Sequence, residues 1–104
     1  MKYLMKVSMG EEATNAAVRD PKFGEKIQAL LKELKAEAAY FTTIEGRRGA
    51  YIVVNMDDAS QIPAMAEPVF LWLKGKVKFI PLMLPQDLAK AGPAIASAVQ
   101  KWGS

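Results

Sequence analysis

Residues 38–56, AAYFTTIEGRRGAYIVVNM, carry the reading that decides the fold. Two runs rich in aromatic and β-branched residues, 38–45 and 50–56, flank Gly46-Arg47-Arg48-Gly49. Such runs around a glycine-bearing turn of four residues predict a β-hairpin. Upstream, Tyr3, Met5, Val7 and Met9 alternate with Leu4, Lys6 and Ser8, the period of a strand over 2–9 that Gly10 ends. Between these strands Asp20-Pro21 offers a helix start, and Phe23, Ile27, Leu30, Leu31 and Leu34 recur at helical spacing, predicting a helix over 21–36. A short polar turn of helix over 11–18 precedes it.

Downstream, Asp57-Asp58-Ala59-Ser60 supplies caps for a helix whose stripe is Ile62, Met65, Ala66, Val69, Phe70 and Leu73, with a kink or restart expected at Pro68. Residues 76–84 (KVKFIPLML) read as a last strand in which Pro81 marks an edge or an end. The tail from Gln86 to Trp102 reads as helix again, with a second start at Pro93 and Ile95, Val99 and Trp102 as a buried stripe. The order is βαββαβ followed by a terminal helix, which predicts a single ferredoxin-like α+β domain over 1–104: an antiparallel sheet with helices on one face.

A sheet covered on one side leaves a second face to account for. Alternation assigns Leu4, Lys6 and Ser8, then Tyr51, Val53 and Asn55, then Lys76, Lys78 and Ile80 to that open face. For the second strand it favours Phe41, Thr43 and Glu45 there, the more polar set. This mixture of apolar and cationic side chains suits a surface half buried by a second subunit and half lining a cavity, so a homodimer through the open face is expected.

Composition narrows the chemistry. The 104 residues contain no cysteine and no histidine, which excludes disulfides, thiol nucleophiles, histidine general bases and nearly every zinc or haem site. No metal and no cofactor is expected. Fourteen basic and eleven acidic side chains, net charge +3, are interspersed rather than blocked. No apolar run reaches the ~18 residues of a membrane span, and the start lacks a signal-peptide core, so no membrane and a cytoplasmic address are expected.

The run from Gly46 through Pro68 (GRRGAYIVVNMDDASQIPAMAEP), followed by a strand ending Phe79-Ile80-Pro81-Leu82-Met83, resembles the dimeric α+β barrel superfamily, especially its small muconolactone-isomerase-like members. The resemblance covers nearly the whole chain as a pattern and is architectural. It implies a homodimer of two sheets packed face to face, each subunit enclosing a pocket for a small aromatic or lactone-like acid that is bound, isomerised or oxidised. Asn55 and Trp72 are residue types with which cofactor-independent monooxygenases of the superfamily hold an aromatic substrate; Trp72, within an apolar helical run, also reads as packing. The haem-degrading branch needs a histidine that this chain lacks.

Glu45 and Glu67 are carboxylates near a sheet end and a helix break, where a dry pocket could turn either into a proton carrier; solvated surface is the simpler reading. Arg47-Arg48 at the hairpin tip could hold an anion or form a soluble turn. Asp57-Asp58 has the ligand type for magnesium but no third oxygen ligand at useful spacing, and capping explains the pair. Lys6, Tyr51, Asn55, Trp72 and Lys78 form the candidate ligand set, with Lys6 expected beside Asn55 and Lys78 further off. The alternative in another class is a non-catalytic sensor or structural dimer whose open face is filled by its own side chains. A third reading, an RNA-recognition module, is disfavoured. After Arg48-Gly49 the aromatic Tyr51 falls one position off the base-stacking pattern, and its neighbours are aliphatic.

Overall fold

A computed structural model describes residues 1–103. The chain is an α+β protein with one four-stranded antiparallel sheet. Its elements are β1 (Lys2–Ser8), α1 (Glu11–Ala17), α2 (Phe23–Glu33), β2 (Ala38–Ile44), β3 (Arg47–Asn55), α3 (Ile62–Leu73), β4 (Lys76–Pro81), α4 (Pro85–Lys90) and α5 (Gly92–Trp102), with a single 3-10 turn at Ala59–Gln61 before α3. The strand order is β2-β3-β1-β4, so β1 and β3 are central and β2 and β4 are edges. Pro81, which has no N–H to give to a ladder, ends the edge strand β4.

The alternation of β1 and β3 sorts their side chains as expected. Met5, Val7, Met9, Ala50, Ile52, Val54 and Met56 are buried on one face, where they meet Leu30 and Leu34 of the α2 segment and Met65, Val69 and Leu73 of α3. Val77, Phe79 and Tyr3 pack against this core from the β4 side, Tyr3 and Phe79 edge to face with centroids 6.3 Å apart. Thr14, fully buried, anchors α1 by donating its hydroxyl to the Gly10 carbonyl at 2.8 Å.

The helix starts differ from expectation at one point. Asp20 accepts the N–H of Lys22 at 2.9 Å and so caps a turn, while α2 itself begins at Phe23. α3 runs through Pro68 without interruption. Its entry is capped by Asp58, which accepts the Ser60 N–H at 2.8 Å, while the Gln61 side chain accepts the Asp58 N–H at 3.3 Å and the Asp57 N–H at 2.5 Å. These reciprocal bonds give the acidic pair its capping role.

The hairpin is where the structure departs most from the sequence reading. The connection is two residues, Glu45-Gly46, rather than the four residues 46–49, and β3 starts at Arg47. Both turn residues have positive φ, 53° and 78°, as the twist of a two-residue hairpin loop requires. Ile44 therefore pairs with Arg47, Phe41 with Ala50 and Tyr40 with Tyr51. This register gives β2 the opposite faces to those that polarity favours. Phe41 lies on the helix side with its partner Ala50, and Thr43 with Arg48, while Ala38, Tyr40, Thr42 and Ile44 join the open face. Glu45 belongs to the turn.

The tail departs too. Residues 85–102 are helical, but Ile95, Val99 and Trp102 are exposed instead of buried.

Two changes test this packing. Leu34→Ala removes a side chain that is 4% exposed and is expected to cost about 2–5 kcal/mol in chemical denaturation. Glu45→Asn places a residue tolerant of the left-handed region in the turn and is expected to raise stability by about 0.5–1 kcal/mol; an unchanged midpoint would mean that the turn geometry is different.

Candidate functional site

The open face is organised in rows set by the ladder. Tyr40, Tyr51, Lys6 and Lys78 stand directly opposite one another across β2, β3, β1 and β4. Two residues along, Ala38, Val53, Leu4 and Ile80 form an apolar row. On the other side of the tyrosine–lysine row, Thr42, Gly49, Ser8 and Lys76 form a third. Lys6, Tyr51, Leu4, Val53 and Ile80 are half-buried, and Tyr40 and Lys78 are exposed.

At the hairpin end this face closes into a depression of about 340 Å³, lined by Lys6, Lys76, Lys78, Arg47, Glu45 and Ile44 among others. Ile44 is its floor. The side chain lies across Gly49, where a Cβ would come 2.6 Å from the isoleucine Cδ1, so only glycine at 49 lets Ile44 lie down and become buried on an otherwise open surface. Four cations and one carboxylate ring this apolar floor.

Lys6 and Lys78 are cross-strand partners of like charge, an arrangement that destabilises a sheet unless something neutralises it. Among the described residues the ion pairs are Lys2–Glu37 and Lys26–Asp20, and neither lysine of the row takes part.

Of the candidate ligand set, Lys6, Tyr51 and Lys78 are brought together. Asn55 is not beside Lys6 as expected: it pairs with Lys2, four residues and about 13 Å further along β3 from Tyr51. There it donates to Glu37 at 2.5 Å. Trp72 lies on the helix side of the sheet, half-buried against Phe23 with ring centroids 5.8 Å apart, and shares no surface with the lysines. Glu45 borders the depression from the turn, while Glu67 is an exposed residue of α3. Arg47 and Arg48, adjacent in sequence, part to opposite faces. Arg47 reaches the depression, and Arg48 donates to Thr14 Oγ1 at 3.1 Å and Asn15 Oδ1 at 2.8 Å, tying the hairpin to α1.

Tyr40 and Ile44 were not in the expected set. An even number of loop residues puts them on the open face, and the Glu45-Gly46 dipeptide read as a two-residue turn sets their partners, Tyr51 and Arg47.

No protein-family model matches the chain, and no curated protein matches it in sequence.

At the far end of the open face, hydrogen bonds from Lys2 and Asn55 hold the Glu37 carboxyl below its ordinary value of 4.5. The lowered value means that the folded chain favours the carboxylate. The associated stabilisation is complete above the ordinary glutamate range and is lost as pH falls through the lowered folded value. Glu37→Gln is therefore expected to flatten part of the acid limb of a stability-versus-pH curve. An acid limb identical to the parent's would show that the Lys2–Glu37–Asn55 contacts do not persist in solution.

Proposed function

We propose that this protein is a homodimeric α+β barrel with a ferredoxin-like sheet, and that its open face binds a small organic acid, aromatic or lactone-like, through Lys6 and Lys78. The strand order β2-β3-β1-β4, with β1 and β3 central and helices in the β1–β2 and β3–β4 connections, supports the architecture. The observation that carries the ligand is the opposed pair Lys6 and Lys78, beside Tyr51 and above the Ile44 floor. A carboxylate between the two ammonium groups removes their repulsion and gains charge-assisted hydrogen bonds. A planar ring attached to it finds aromatic and aliphatic side chains in the same row and in its apolar neighbour, Leu4, Val53 and Ile80. The depression has the size of a small-ligand site, about 300–1,000 Å³, and a second sheet over it would exclude water and strengthen the electrostatic attraction.

The dimer in this reading follows from the same face. Leu4, Val53 and Ile80 lie in one row beside exposed Tyr40, and covering large apolar side chains is worth about 1.5–3 kcal/mol each when complete. Binding needs no catalytic group. Glu45, Glu67 and Asn55 are the residues to which proton transfer would fall, and of the three only Glu45 borders the depression.

The reading is tested by thermal unfolding with benzoate and, in parallel, with neutral benzamide. Benzoate at ten times its Kd is expected to stabilise the parent by about 1.4 kcal/mol, and benzamide much less. Lys6→Met and Lys78→Met are each expected to abolish the benzoate response while leaving the oligomeric state unchanged. No response of the parent to a panel of small aromatic and lactone-like acids would retire the pocket and leave the structural dimer. Tight binding of mixed single-stranded RNA at low salt would point instead to a nucleic-acid surface.

A further inference from the structure

The segment after β4 is helical yet carries no core. From Met83 to Gly103 every described residue except the half-buried Ala91 is exposed. Leu84, Leu88, Ile95, Val99 and Trp102 are 39%, 52%, 49%, 61% and 84% exposed. Steps of seven, four and three place Leu88, Ile95, Val99 and Trp102 on one helical face across α4 and α5, which are joined at Ala91, and Leu84 is the extended residue that leads into α4. Residues 82–103 contain only three charged side chains, Asp87, Lys90 and Lys101. A sequence of this kind is poorly suited to stand in water.

The dimensions agree. The molecule measures 58 × 27 × 21 Å with a radius of gyration of 17.6 Å, against about 13 Å for a compact domain of this length. Its accessible surface is 7387 Å², roughly 1,600 Å² more than the ~5,800 Å² of a compact monomer of the same mass. The helix side of the central strands β1 and β3, where such an arm could have docked at home, is already covered by the helices before β2 and by α3.

We infer that the arm formed by α4 and α5 packs on a second copy of this chain, each protomer covering its partner's arm through the Leu88–Trp102 stripe. The area decides for a second copy. An excess of roughly 1,600 Å² on each of two chains, buried reciprocally, comes to about 3,200 Å², within the 2,000–5,000 Å² of obligate homodimers. A two-fold axis makes both arms equivalent and closes the assembly. The inference rests on the homodimer of the preceding section but places a separate surface in the interface, one that the open sheet face does not include.

Trp102 is the natural probe. In a Trp72→Phe background it is the only tryptophan, and sedimentation and acrylamide quenching can be followed together over a dilution series of the full chain. The expected result is a dimer in which Trp102 is shielded, becoming quenchable as the dimer dissociates on dilution. The double change Ile95→Glu with Val99→Glu is expected to weaken dimerisation at least roughly 100-fold, since it removes two covered side chains from the interface. Its circular dichroism should remain near the parent's, because neither residue belongs to the core. A dimer whose Trp102 is freely quenched would overturn the arm and leave the sheet-face dimer standing. Shielding that persists in a monomer would mean that the arm folds back on its own chain, which overturns both. A monomer with exposed Trp102 at high micromolar concentration also overturns both.

Discussion

The register of the β2–β3 hairpin is the constraint on which the rest of the molecule depends. A two-residue loop with both φ values positive leaves one way for the strands to pair, and that pairing puts Ile44 opposite Arg47. Everything on the two faces follows in steps of two. Phe41 goes to the helix side with Ala50, Tyr40 meets Tyr51 on the open side, and Ile44 lies across Gly49 to floor a depression. Had the loop been longer by one residue on one side, the same sequence would have placed Phe41 on the open face and Tyr40 among the helices. The hairpin is also tied down from outside, since Arg48 holds α1 through Thr14 and Asn15.

The central strand β1 then carries the consequences of that register to the other edge. Its buried Met5 and Val7, with Met9 just past its end, join β3 to the helices, while Lys6 on the opposite side meets Tyr51 on one flank and Lys78 on the other. Two ammonium groups in one cross-strand pair are a local cost that a folded sheet keeps only when the rest of the strand outweighs it, and the apolar pairs Leu4–Ile80, Met5–Phe79 and Val7–Val77 of the same two strands supply that. The electrostatics of the two ends of the open face therefore differ. At the Asn55 end, Lys2 and Glu37 satisfy one another; at the hairpin end, positive charge is in excess. That asymmetry is what favours the hairpin end over the Asn55 end for the proposed anion site.

Much of this was legible from residue spacing. The core sets of β1 and β3, the buried Ile27, Leu30 and Leu34 of the first long helix and Met65, Ala66, Val69 and Leu73 of α3 follow from periods of two and 3.6, because burial on one face imposes them directly; Ile62 and Phe70, expected in the α3 stripe, are exposed. The β2 face was not legible from polarity. Phe41-Thr42-Thr43-Ile44 offers one apolar residue to each side, so only turn geometry decides, and a glutamate in the left-handed region is an uncommon choice that Gly46 and Gly49 together obscure. The pairing of Lys6 with Lys78 rather than with Asn55 required the strand order combined with the register, which spacing within one strand cannot supply. The tail shows a different limit. The apolar stripe Ile95, Val99 and Trp102 marks a surface that needs covering, but the sequence does not say whether the cover comes from the same chain.

The central claim is that positive charge at Lys6 and Lys78 makes the hairpin end of the open face a site for a small carboxylate. Heteronuclear NMR of the labelled full chain, titrated with benzoate, tests it most directly because it reports position as well as affinity. The account predicts saturable shifts grouped on Lys6, Tyr51, Lys78, Ile44 and Arg47, with the amides around Phe23 and Trp72 unmoved. Shifts centred on Phe23 and Trp72, on the far side of the sheet, would contradict it.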